Sequence, residues 1–177
     1  MNDQTGFTGL FEEYYEAVLR YAWRRVGAAD ASDVAAETFR IAWEKYDQFS
    51  RAQPLPWLYT TARHVILNYA RSSKRRDSLV TALGEGLLRC AGEGDHAAAV
   101  AARHAALAAL DDLGEDDREL VLLLAWEGLD LHQAAKVVGC SWAAARMRLH
   151  RARKRLRRLL ADDDQAGATH RYLEGLT

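Results

Sequence analysis

The sequence predicts an all-α protein: two small helical domains joined by a flexible linker, the C-terminal one with a helix-turn-helix. Three observations predict it. Apolar residues recur at three- and four-residue spacing through most of the chain, the period of a half-buried helix. Only 2 prolines stand among 177 residues, so helices meet few breakers. Gly84, Gly86, Gly92 and Gly94 interrupt the periodic pattern between Asp77 and His96, where a linker is expected.

The first helix reads from about residue 10 to 26, with Phe7, Leu10, Phe11, Tyr14, Val18 and Tyr21 on one side. Gly27 stops it. Asp30 or Ser32 can cap a second helix running to about residue 47. Val34, Thr38, Ile41 and Ala42 form its buried stripe, while Asp33, Glu37, Arg40 and Glu44 stay outside. A loop covers 48–53. Pro56 then suits the first turn of a third helix reaching about residue 72. Leu58, Ala62, Val65, Ile66 and Tyr69 share one face of it. Thr60, Arg63, His64, Asn68, Arg71 and Lys74 share the other, with Trp57 at the edge. These helices make a first domain over 7–76.

Beyond the linker, an Ala-rich helix is expected over about 97–113, broken by Gly114, and another over 115–126, ended by Gly128. Asp130 followed three residues later by Gln133 is a capping box that opens a short helix over 131–138. Gly139, Cys140 and Ser141 make a tight turn, and Ser141 can cap a long helix from Trp142 to about residue 160. Two helices joined by a short Gly-containing turn are the helix-turn-helix pattern. Ala145, Leu149, Ala152, Leu156 and Leu159 face inward on the long helix. Ala143, Met147, His150, Arg151 and Lys154 face outward, with Arg146 on the flank. Small alanines let the backbone approach a groove; the basic side chains supply phosphate contacts and bidentate contacts to guanine. A second domain therefore spans 97–160, followed by a short acidic tail over 161–177.

Charge segregation supports this reading where the net charge of −1 does not. Between Gly139 and Leu160 stand Arg146, Arg148, Arg151, Arg153, Lys154, Arg155, Arg157 and Arg158, with no acid. The preceding segment, 111–138, carries Asp111, Asp112, Glu115, Asp116, Asp117, Glu119, Glu127 and Asp130 against Arg118 and Lys136. Such blocks make a local field that a net figure hides. Arg71, Lys74, Arg75 and Arg76 form a second basic cluster.

Three runs resemble a known family. Gly128-Leu129, Gln133-Ala134-Ala135, Val138 to Ser141 and Arg146 to Arg153 resemble region 4 of the extracytoplasmic-function (ECF) sigma factors of bacterial RNA polymerase. Asp33 to Phe39 with Ala42-Trp43 is similar to their region 2.2, and Pro56 to His64 with Asn68, Tyr69 and Arg71 to their regions 2.3 and 2.4. Order and linker length agree, and no room remains for regions 1.1 and 3. The chain departs from the family at Ala143-Ala144-Ala145-Arg146, where Gly-Thr-Val-Lys is frequent, at His64, where Asn is frequent, and at Gly114, where Pro is common.

The resemblance implies a non-enzymatic alternative sigma factor that binds core RNA polymerase through the β′ coiled coil and the β flap. It implies core contacts at Asp33, Glu37, Arg40 and Trp43, with core packing as the other reading of Trp43. It places −10 element contacts at Trp57, Arg63, His64, Asn68 and Arg71 together with the 48–53 loop, and −35 contacts at Ala143, Arg146, Met147, His150, Arg151 and Lys154. Unstacked bases at a −10 element call for planar groups to stack on and a basic groove to track the strand. A partner anti-sigma factor is expected on the same ground. The alternative class is a stand-alone operator-binding regulator, which would have no use for the region 2-like half.

Nothing points to catalysis or a cofactor. The six histidines show no metal spacing with Cys or carboxylates, and no phosphate-binding glycine motif occurs. Cys90 and Cys140 alone do not make a disulfide framework and fit a reducing cytoplasm. Residues 1–10 carry neither a basic start nor an apolar run, so no signal peptide is expected, and no apolar stretch is long enough for membrane insertion.

Overall fold

The computed structural model describes residues 4–47, 53–72 and 108–174, with side chains placed at 4–47, 53–69 and 108–158. The described residues form α1 (Gln4–Glu44), α2 (Pro54–Ser72), α3 (Glu115–Ala125), α4 (Leu131–Val138) and α5 (Trp142–Glu174). A helical turn at 108–111 precedes α3. The expected linker, the 48–52 part of the loop and most of the Ala-rich helix lie outside the described residues.

Gly27 breaks α1 into two arms. Its φ of 80° and ψ of 177° is a conformation essentially confined to glycine. The arms fold back on each other antiparallel: Phe7 meets Trp43 at 4.9 Å between ring centroids, and Phe11 meets Phe39 at 4.9 Å. Val18, Tyr21 and Ala22 of the first arm and Val34, Ala35 and Ala42 of the second are fully buried. Leu58, Ala62, Val65 and Ile66 of α2 close this core. The stripe expected on the second arm is thus the packed one, with Ile41 at its margin. Tyr69 differs. It was expected on the buried face of α2, but stands 38% exposed beside the second arm.

In the C-terminal half, α3 starts at Gly114 with no side-chain cap; Glu115, Asp116 and Asp117 in its first turn complement the helix dipole instead. Arg118 donates to the carbonyls of Leu110 at 2.9 Å and Asp111 at 2.8 Å, tying down the end of the preceding helical turn. With eight residues, α4 is too short to persist alone. It is held by the burial of Ala134, Ala135, Val137 and Val138 and by its capping box. Ala145, Leu149 and Ala152 seat α5 on this core. The backbone of α5 continues helical to Glu174, past the expected end near residue 160. The two halves touch: α2 packs on α4, and one apolar core includes residues of both.

Candidate nucleic-acid interface

The helix-turn-helix forms as its residues dictate. Asp130 Oδ1 accepts from the Gln133 backbone N–H at 2.8 Å, and Gln133 Oε1 accepts from the Asp130 N–H at 3.0 Å. Gly139 takes φ 80°, the left-handed turn that reverses the chain, and its N–H donates to the carbonyl of Ala135 at 3.0 Å. Ser141 Oγ accepts from the Ala144 N–H at 3.2 Å and starts α5. The half-buried Cys140 packs against the core as the turn residue between the helices.

All six residues expected at a −35 element are on one side of the C-terminal half: Ala143, Arg146, Met147, His150, Arg151 and Lys154 are exposed. Arg146, His150 and Lys154 line an open concavity with Leu131 and Arg153. Two of the eight basic residues pair with acids of the preceding segment instead. Arg148 reaches Asp117 at 3.1 Å, and Arg155 Nε donates to Asp112 at 2.7 Å. The acids of 111–117 therefore orient α5 through these two arginines and leave the outer face positive.

Sequence reasoning missed Trp142. It is the first residue of α5, 48% exposed, in the same concavity, with the Arg146 guanidinium 5.6 Å from its ring centroid. The available signal was an aromatic one turn before the apolar stripe starts at Ala145.

The residues expected at core polymerase lie along the second arm of α1. Arg40 donates to both oxygens of Glu37, at 2.8 and 2.7 Å, and also pairs with Glu44. Hydrogen bonding and charge from Arg40 hold the Glu37 carboxyl below its ordinary value. Asp33 is exposed, and Trp43 is 37% exposed while packed edge-on against Phe7. Asp33, Glu37 and Arg40 share a groove with Asn68 and Tyr69 of α2.

That groove divides the expected −10 face. Asn68 belongs with the α1 groove, and His64 is exposed. Trp57 is half-buried against the core. Arg63 turns the other way and donates to Asp116 of α3 at 2.8 Å, with its side chain only 13% exposed. The backbone of Arg71 lies in α2 and its side chain is outside the described residues. The described residues hold no cluster of metal-ligating side chains and no helix long and apolar enough to cross a membrane.

The chain matches known proteins over both halves. The sigma-70 region 2 family covers residues 10–76 and sigma-70 region 4 covers residues 103–156. The probable RNA polymerase sigma factor RfaY of Xanthomonas campestris is 34% identical over 73% of this chain and 34% of its own length. The ECF RNA polymerase sigma factor BldN of Streptomyces coelicolor is 31% identical over 89% of this chain and 61% of its own. The chain thus spans about a third and about three fifths of those two relatives. SigC, an ECF RNA polymerase sigma factor of Mycobacterium tuberculosis, is 32% identical over 88% of this chain and 86% of its own. Among solved structures, CnrH in complex with the cytosolic domain of CnrY superposes with a TM-score of 0.62 at 25% identity, covering 91% of each chain. RpoE from Bartonella quintana, solved with the anti-sigma factor NepR, shares the fold at a TM-score of 0.59 and 24% identity, over 88% of this chain and 97% of that one. With regions 2 and 4 present in order and SigC matched over most of its length, the chain belongs to the extracytoplasmic-function sigma factors of the sigma-70 family.

Proposed function

We propose that this chain is an alternative sigma factor that binds core RNA polymerase and directs it to a set of promoters. The observation that carries the reading is the exposed basic face of α5, built on a fully capped helix-turn-helix, in a chain whose other half matches sigma-70 region 2. Residues 7–76 bind core and read the −10 element, 77–96 link, 97–160 read the −35 element, and 161–177 form a tail. Asp33, Glu37, Arg40 and Trp43 are the contacts for the β′ coiled coil, and the C-terminal half takes the β flap. Trp57, Arg63, His64, Asn68 and Arg71 meet the opened −10 strand. Ala143, Arg146, Met147, His150, Arg151 and Lys154 enter the −35 major groove. The site of action is the cytoplasm. RpoE was solved with an anti-sigma factor, and a protein of that kind is the expected regulator here.

The protein's part in initiation is recognition. Phosphate contacts from the arginines set register, and base-edge contacts set sequence. In-vitro transcription with purified core polymerase on a library of native upstream regions tests this. Transcripts starting downstream of a shared two-part motif support it; no chain-dependent transcript from any fragment contradicts it.

A further inference from the structure

Among the described residues five large apolar side chains are exposed, and two of them stand in the first two turns of α5: Trp142 at 48% and Met147 at 61%. Single exposed apolar residues are ordinary on a protein surface. These two are placed together, on the face that carries the basic side chains. At 100° per residue, Trp142, Arg146, His150 and Met147 lie at about 0°, 40°, 80° and 140° around the helix. The indole and the thioether therefore flank the strip formed by Arg146 and His150. Ala143 lies between them and adds nothing beyond Cβ.

The same turns are poor in hydrogen-bonding groups. Ala143, Ala144 and Ala145 separate Trp142 from Arg146, so no hydroxyl or amide side chain there can meet a base edge. The Ser141 hydroxyl is engaged in capping, accepting from the Ala144 N–H at 3.2 Å. The indole is held in place: the Arg146 guanidinium stands 5.6 Å from its centroid, a cation–π distance. Its backbone follows directly on the turn set by Gly139 at φ 80°. Met147 is unbranched and adapts its shape to what it covers.

The surrounding cations draw this face onto a nucleic-acid backbone. In the major groove of DNA the group that an apolar side chain covers is the C5-methyl of thymine; the other marks on the groove floor are donors and acceptors. The Cα atoms of Trp142 and Met147 are about 9 Å apart by helix geometry. That is roughly two to three base-pair steps.

We propose that Trp142 and Met147 make −35 recognition depend on thymine methyls, each covering one, on either side of the base pair that Arg146 meets. This rests on the reading of α5 as the −35 helix and adds to it a base that the element must contain. Arg146 and His150 supply the polar contacts, and the two apolar side chains set the composition on their flanks.

The test uses holoenzyme reconstituted from the full chain and core polymerase, with promoter duplexes selected from a library randomised in the −35 element. Selection should enrich thymine, on either strand, at two positions two or three base pairs apart. Replacing one of these thymines by uracil removes only its methyl and should weaken binding about fourfold, the worth of one buried methyl-sized group. Trp142→Ala should lose the uracil effect at one position and Met147→Ala at the other, each keeping it where the other side chain lies. Met147→Leu, of similar volume, should keep both effects. Circular dichroism checks that each variant is folded, and the uracil duplexes with the wild-type chain decide even where one is not. A selected −35 element without thymine overturns the proposal, and so does equal binding of thymine and uracil duplexes. A uracil effect undiminished when both Trp142 and Met147 are replaced by Ala overturns it too. Failure of the −35 reading itself shows separately, as a library from which no −35 sequence is selected at all.

Discussion

Arg63 and Asp116 lie 53 residues apart and are joined at 2.8 Å, so a side chain expected to face DNA faces the other half of its own chain. Asp116 is 42% exposed, and an ion pair this open contributes little, about 0–1 kcal/mol. Replacing Asp116 with Ala should therefore leave thermal unfolding nearly unchanged while strengthening binding of the free chain to −10 strand. A large loss of stability would mean that the pair is a structural tie.

Alkaline pH should loosen the contact between the two halves, where the Tyr21 and Tyr59 hydroxyls meet Glu119 and Glu127. Burial first, and then the neighbouring glutamates, hold Tyr21 well above its ordinary value of 10.0 and raise Tyr59 as well. Both phenols are protonated in the closed chain. The stability they confer is fully present below pH 10, the value in the unfolded chain, and is lost as pH rises through the higher folded values. Titration followed by tyrosinate absorbance and scattering should show expansion beginning above pH 10, with Tyr59→Phe weakening the pH dependence. Expansion already under way at pH 8 would assign it to another group.

On the recognition helix, Arg146→Ala or His150→Ala should lower −35 discrimination by about 1–3 kcal/mol where a base contact is lost. Lys154→Ala should weaken all sequences alike and reduce the salt slope by about 1. Trp142 adds a sharper probe. An indole at the leading end of the helix can pack on a thymine methyl, so replacing thymines by uracil in the −35 element should weaken wild type more than Trp142→Ala. Equal sensitivity in the two proteins would place Trp142 off the bases.

The surface proposed for core binding is testable without harming the fold. Asp33, Glu37 and Arg40 lie outside the buried stripe, and Arg40 is exposed while paired with Glu37. Asp33→Lys with Glu37→Lys should keep native helicity by circular dichroism and lose core polymerase in a pull-down. A folded double variant that still binds core would move the contact elsewhere, with the exposed edge of Trp43 the next place to look.

What the sequence made legible was local. Gly27 had to end a helix, Asp130 and Gln133 had to cap one, and Gly139 had to reverse the chain, because backbone conformation and nearest hydrogen bonds decide these. The apolar stripes of α1 and α5 were equally plain from their spacing. The sides of α2 were not. His64, Asn68 and Arg63 share a polar face by periodicity, yet Asn68 turns to the α1 groove and Arg63 to Asp116, because partners distant in sequence chose between them. The Arg25–Glu119 pair was invisible for the same reason, its members being 94 residues apart. The end of α5, expected near residue 160, lies further on, at Glu174. No proline stands there, and acidic residues do not stop a helix that has already started.

On the function proposed above, promoter recognition belongs to the complex with core polymerase and not to the chain alone. The direct measurement is a gel-shift titration of one native promoter duplex and a scrambled duplex, with and without purified core, at fixed salt. Weak binding by the free chain with little preference is expected, and tight binding of the native duplex alone once core is present. Sequence-specific binding of equal strength in the absence of core would contradict it and would make the chain an operator-binding regulator instead.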